Sequence, residues 1–144
     1  MALQFLVGGF VCVINIMIHA LVTVGAVGIA RYAGLRHTEW PRLLLMAVMV
    51  ATAAALIVAH TLEVFVWVLA YAIVGAAPAG SDLVYFAFVN YTTLGYGDIT
   101  PVPAWQLTGP MTAMNGILLF GWSTAVLFEV LRKTLKHLVS IGAS

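Results

Sequence analysis

Charge is what this chain has least of: 8% of its 144 residues are Asp, Glu, Lys or Arg, about a third of the share usual in soluble domains. That scarcity excludes a soluble globular domain, and with 63% hydrophobic residues it places the chain in a membrane. The single cysteine, Cys12, excludes an internal disulfide framework. Six Lys and Arg against five Asp and Glu leave a formal net charge of +1, too small for a nucleic-acid partner or an acidic substrate. The sequence also lacks a nucleophile–base pair, a phosphate loop and a zinc-ligand cluster, so neither an enzyme nor an organic cofactor is expected. Nor does the first apolar stretch, residues 5–30, carry the repeated arginines of a voltage sensor; its polar residues are Asn15, His19 and Thr23.

What the sequence does have is apolar length. The charge-free stretches 1–30 and 99–128 each exceed the ~20 residues that cross the hydrocarbon layer as a helix. Met1 to Ala30 lacks the positive n-region of a signal peptide and is longer than the usual apolar core of one, which favours a retained span. Arg31, Arg36 and Arg42 follow the first span, and Arg132, Lys133 and Lys136 follow the last. The positive-inside rule puts both sets in the cytoplasm, with the N-terminus outside and an odd number of spans. Three spans satisfy it: 5–30, 43–72 and 107–131. The expected class is an all-α membrane protein of three transmembrane helices, localised to a cytoplasmic (inner) membrane.

Between the second and third spans lies a stretch that stays on the outer side. Pro78, Gly80 and Ser81 break the preceding helix, Ser81 offers an N-cap, and Asp82 complements the dipole of a new helix. Leu83–Tyr91 is apolar but too short to span, so it reads as a re-entrant helix over 82–92 whose negative carbonyl end points into the membrane, where a cation is favoured. It runs into Thr92-Thr93-Leu94-Gly95-Tyr96-Gly97-Asp98.

With that segment the chain resembles the pore domain of tetrameric potassium channels, whose filter reads T-V-G-Y-G, with Leu94 in the valine place. The likeness covers roughly Glu63 to Leu131 and leaves the first span outside it. The resemblance implies a homotetramer, each chain giving a quarter of a filter at 93–97 that binds dehydrated K⁺ through the carbonyls of Thr93, Leu94, Gly95 and Tyr96 and the Thr93 hydroxyl. Gly95 and Gly97 tolerate the backbone angles that turn carbonyls toward one axis. Thr92, Asp98, Tyr85 and Asn90 are expected to support the filter. Phe86 and Val89 stand where many relatives carry hydrogen-bonding side chains, so the support is thin and a filter that readily stops conducting is expected. Thr100 stands where some relatives carry an aromatic residue, which implies weak block by external tetraethylammonium. In the last span Gly116 and Gly121 resemble the family's inner-helix hinge, although either can equally serve close helix packing. Phe120 and Phe128 are candidate gate plugs. Residues 1–42 are thus an additional helix and basic loop, 43–131 the pore domain, and 132–144 a short basic tail that anchors topology or touches lipid headgroups.

Ionisable groups at membrane depth require an account. Ala47, Ala51, Ala55, Ala59 and Glu63 recur every four residues, which predicts that the carboxyl faces protein. His60, three residues before Glu63, can pair with it. Counted from Arg31, Asn15 stands level with His60, which predicts a hydrogen bond between them. These groups either join helices or sense protons near neutral pH; two of them are too few for a metal. The function expected is passive, potassium-selective permeation, with a weakly selective cation channel or a non-conducting regulatory subunit as alternatives.

Overall fold

The computed structural model describes residues 1–34 and 40–142, so Arg36 lies outside the described residues and the side chain of His137 is not described. Four helices carry the chain: α1 (Ala2–Gly34), α2 (Pro41–Val74), α3 (Leu83–Tyr91) and α4 (Thr108–Gly142), with one 3₁₀ turn at Pro103–Trp105 before α4. Three of them, α1, α2 and α4, are long and apolar enough to cross a membrane. At 33, 34 and 35 residues they exceed the ~20 needed, and each must tilt or run into the interface.

The helices run past the expected spans at both ends of α1 and α2 and at the C-terminal end of α4, whose start at Thr108 falls one residue inside the expected 107. Pro41 occupies the first turn of α2, where its missing N–H is no loss. Gly75 ends that helix in the left-handed conformation (φ 63°), its N–H bonding back to the Tyr71 carbonyl. Asp82, rather than Ser81, caps α3: its carboxylate accepts from the amides of Val84 and Tyr85 at 2.9 and 3.0 Å. A carboxylate reaches two amides at once, which the shorter serine hydroxyl, one residue further back, does not. The expected tail after Leu131 continues α4 to Gly142.

α1 packs against both α2 and α4, and α3 sits in the fork between α2 and α4. The buried core around α3 joins Val11, Val64, Trp67, Tyr71, Phe86, Tyr91 and Met111. Tyr71 lies 4.9 Å from the Phe86 ring and its hydroxyl 2.6 Å from Thr112 Oγ1. A smaller cluster of Val48, Leu56, Val126 and Val130 joins α2 to the far half of α4. The buried face of α2 is Val48, Thr52, Leu56, Ala59, Glu63 and Trp67. It corrects the alanine stripe: Ala47 and Ala51 are exposed in the single chain and Ala55 half-exposed, because the inward stripe runs one residue further along.

Candidate functional site

The chain leaves α3 at Tyr91 and turns at once into the loop. Thr93 donates its amide to the Asn90 carbonyl at 3.0 Å, and Leu94 and Gly95 donate theirs to the Val89 carbonyl at 3.0 and 3.4 Å. The amides of this strand are therefore tied to the end of α3. Among the described residues no hydrogen bond ends on a carbonyl of residues 93–97.

The backbone handedness alternates along it. Thr93, Gly95 and Gly97 have positive φ (61°, 59° and 78°), while Leu94 and Tyr96 between them do not. An ordinary extended strand sends successive carbonyls to opposite sides; placing every second residue in the left-handed region turns them to one side. Glycine does this freely, and Thr93 is the sole non-glycine residue in that region among the described residues. A threonine held there costs about 1–3 kcal/mol, which the surrounding contacts must offset. The sequence signal was the two glycines; the third left-handed position had none. Leu94 and Tyr96 are 54% and 67% exposed in the single chain, apolar surface that nothing in the same chain covers.

At the outer end, Tyr85 donates its hydroxyl to Asp98 Oδ2 at 2.7 Å, and Asp98 Oδ1 accepts the Ile99 amide at 3.0 Å. The neighbouring carboxylate raises the Tyr85 hydroxyl above the ordinary tyrosine range. Asn90 and Thr92 instead bond back into α3, to the carbonyls of Phe86 and Phe88 at 3.0 and 2.7 Å, so these side-chain bonds brace the helix rather than the segment 93–97. Phe86 and Val89 are buried. Val102 donates its amide to Ala76 at 2.8 Å and pins the loop after residue 97 to the end of α2.

A family model for ion channels matches residues 57–133, more than half of the chain. The chain belongs to the two-transmembrane ion channel family. No curated protein and no solved structure matches it. As an ion channel it is a multi-pass membrane protein with one helix, α1, in front of the matched region. The matched residues hold the C-terminal half of α2, α3, the segment 93–97 and most of α4, the parts expected to build a pore.

In this ion channel the two candidate hinge glycines differ in surroundings. A Cβ on Gly116 would collide with the Tyr91 carbonyl, whereas one on Gly121 meets nothing within 4 Å. Gly116 thus serves close packing of α4 on the end of α3, while Gly121 has open space at its Cβ position and no packing role within the chain. Phe120 stacks 4.6 Å from the His60 ring and 5.5 Å from Tyr91, so it belongs to the packing around α3, while Phe128 is exposed in the single chain.

Behind Tyr91 lies a polar cluster larger than the sequence foretold. Glu63, wholly buried, has Oε1 2.8 Å from His19 Nδ1 and Oε2 3.0 Å from His60 Nδ1, and it accepts the Tyr91 hydroxyl. Asn15 does not reach His60. Its amide donates to the Glu63 carbonyl at 3.2 Å and to Asn115 Oδ1 at 2.8 Å, where Trp67 Nε1 also donates at 3.0 Å. The reason is one turn of helix: α1 continues past Arg31 to Gly34, so His19 rather than Asn15 stands level with His60. His19, His60 and Glu63 bring three donor atoms within 4.8 Å of one another. Both imidazoles, however, face a carboxylate oxygen at hydrogen-bond distance, and each has a second partner for its other nitrogen, an arrangement suited to protons.

Proposed function

We propose that this ion channel is potassium-selective and that it works as a homotetramer in a cytoplasmic membrane, passing K⁺ passively down its electrochemical gradient. The observation that supports the reading is the alternating handedness of Thr93-Leu94-Gly95-Tyr96-Gly97, a backbone pattern that favours consecutive carbonyls on one side, together with the absence among the described residues of any hydrogen bond upon them. Carbonyl oxygens in a column replace the water shell of K⁺. One chain supplies one wall of such a column, so the site is incomplete without neighbouring copies, and the exposed Leu94 and Tyr96 side chains are the surface those copies would cover. The filter ligands are the carbonyls of Thr93, Leu94, Gly95 and Tyr96 and the Thr93 hydroxyl, with Asp98 and Tyr85 holding the outer end.

The clustering of Arg31 near the end of α1, Arg42 at the start of α2, and Arg132, Lys133 and Lys136 in the last third of α4 supports a topology with the N-terminus outside and the C-terminus in the cytoplasm. Membrane lipids are the remaining partners. K⁺ flux from liposomes carrying the purified protein, with Na⁺-loaded vesicles and Ba²⁺ block alongside, tests the whole reading. Ba²⁺-sensitive flux with K⁺ strongly preferred is the expected result. Flux without preference would make it a weakly selective cation channel. No flux from a verified tetramer at any voltage or pH would make it a non-conducting subunit.

A further inference from the structure

The helix outside the matched family region is tied to the pore's inner helix at three levels. Near the outer end, Gln4 donates to the Ala104 carbonyl at 2.6 Å and accepts the Leu107 amide at 2.9 Å. Midway, Asn15 donates to Asn115 at 2.8 Å. Deepest, His19 Nε2 lies 3.3 Å from Ser123 Oγ. These residues fall on one face of α1, with Val11 buried between them.

The deepest tie closes a ring. Glu63 Oε1 meets His19 Nδ1 at 2.8 Å; His19 Nε2 meets Ser123 Oγ at 3.3 Å; Ser123 Oγ meets His60 Nε2 at 2.9 Å; and His60 Nδ1 returns to Glu63 Oε2 at 3.0 Å. A buried carboxylate facing two imidazoles and a phenol accepts from all three, so both Nδ1 atoms carry a hydrogen. The two Nε2 atoms then share one hydroxyl, and that hydroxyl has one hydrogen to give. With both imidazoles neutral, one Nε2 faces an oxygen with no hydrogen between them, and the ring carries a net charge of −1. With both protonated the net charge is +1. With one imidazolium every contact is a hydrogen bond: one Nε2–H donates to Ser123, Ser123 donates to the other Nε2, and the charges of imidazolium and carboxylate cancel. Buried charge is expensive unless it is paired and bonded, so the state with one added proton is the one this geometry fits.

We propose that His19, Ser123 and His60 hold one shared proton, and that this proton fastens the inner helix to α1 and α2 below Gly121. Among the described residues the groups facing the ring are His19 from α1, His60 and Glu63 from α2, the Tyr91 hydroxyl from α3, which lies 2.9 Å from His60 Nδ1 as well as against Glu63, and from α4 the Ser123 hydroxyl, with the Trp122 ring 5.6 Å from His19 and the Phe120 ring 4.6 Å from His60. Further along α4, Glu129 pairs with Arg132 and Lys133, and Lys136 lies beyond them. Loss of the proton removes one of the two bonds that hold Ser123. Because Ser123 lies two residues beyond Gly121, the glycine with open space at its Cβ position, fastening it opposes bending there and release permits it. The first helix is then a pH-dependent restraint on the gate. This inference rests on the channel reading above, and its second readout below does not need conduction.

The experiment measures K⁺ flux from proteoliposomes between pH about 8 and about 5, the range in which histidine changes charge. Wild type is expected to lose flux on acidification along a curve with the slope of one proton. His19→Gln, His60→Gln and Ser123→Ala are each expected to flatten that curve by tenfold or more in response amplitude, and Ser123→Thr to restore it. Ser123→Ala is decisive because it removes no titrating group and little volume. In parallel, imidazole nitrogen NMR of the detergent-solubilised protein, with conduction irrelevant, is expected to report one imidazolium exchanging between two histidines, and two neutral or static rings in Ser123→Ala. A pH response unchanged in Ser123→Ala and His19→Gln, flux that rises on acidification, or a response abolished by a metal chelator would each overturn the proposal. Absence of flux at every pH with the NMR signature intact would instead count against the channel reading alone.

Discussion

Replacing Gly116 by alanine gives the most direct test of how the pore parts are packed. The added methyl would overlap the carbonyl oxygen of Tyr91, a backbone atom that cannot rotate aside as a side chain does. Relief requires α4 to back away from the end of α3 by about 1 Å, an overpacking that costs about 1–3 kcal/mol. Alanine recovers about 1 kcal/mol of that through its better helix propensity. Because the overlap is with backbone, the cost belongs at the upper end of that range, and the net loss of about 2 kcal/mol corresponds to a fall of about 4–8 °C in the melting temperature of the purified protein. Gly121→Ala is the internal control, since outside its own stretch of helix nothing among the described residues lies within 4 Å of its Cβ position and within the chain it carries only the propensity gain. The assay is thermal unfolding in detergent for both variants, with K⁺ flux beside it. Gly116→Ala is expected to melt lower and pass less K⁺, because the displaced contact is on the end of α3, which leads into the segment 93–97. Gly121→Ala is expected to melt as wild type or higher while opening less. Equal melting temperatures for wild type and Gly116→Ala, or equal losses in the two variants, would refute the close-packing role.

Other outcomes follow from single contacts. Tyr85→Phe removes the 2.7 Å bond to Asp98 at the filter's outer end, and K⁺ currents are expected to decline faster during sustained opening. The carboxylate raises the Tyr85 hydroxyl, so the bond persists while tyrosine is protonated and is lost as pH rises beyond the ordinary value of about 10; alkaline inactivation there, absent from Tyr85→Phe, is the check. Gln4→Leu frees both the Ala104 carbonyl and the Leu107 amide and is expected to cost about 1–3 kcal/mol, read as faster hydrogen exchange at the start of α4. Trp67→Phe deletes one of two donors to Asn115 while keeping most of the buried ring, and thermal unfolding is expected to show a loss of about 1 kcal/mol.

Most of the fold was legible because its signals are local or summed over many residues. Length and hydropathy mark α1, α2 and α4, and the short apolar run after Pro78, Gly80 and Asp82 marks α3. What escaped depended on rotation and height. The inward stripe of α2 lies one residue off the alanine pattern, because burial there is decided by Leu56 and Trp67 meeting their neighbours and not by residue size. Continuation of α1 to Gly34 moved His19 to the level where Asn15 was expected, and so the third arm of the Glu63 cluster was missed. Ser123 had no signal at all, since a lone serine in an apolar helix is ordinary. The left-handed Thr93 escaped for a related reason: its conformation is imposed by the amides tied to Val89 and Asn90, a constraint written in α3 and not in the threonine.

The inner helix is one unbroken rod from Thr108 to Gly142, and Gly116 is where it bears on the end of α3. That contact is a fulcrum set far off centre. The short arm, from Gly116 back to Thr108, is about 12 Å, and the long arm, out to Gly142, is about 39 Å. While the rod stays straight, a push on its far end is delivered at Thr108 with about threefold mechanical advantage, and a shift at Thr108 is magnified at the far end by the same ratio. Small forces on the tail would thereby be geared onto the start of α4, where Gly109 lies against Asn90 and Pro101.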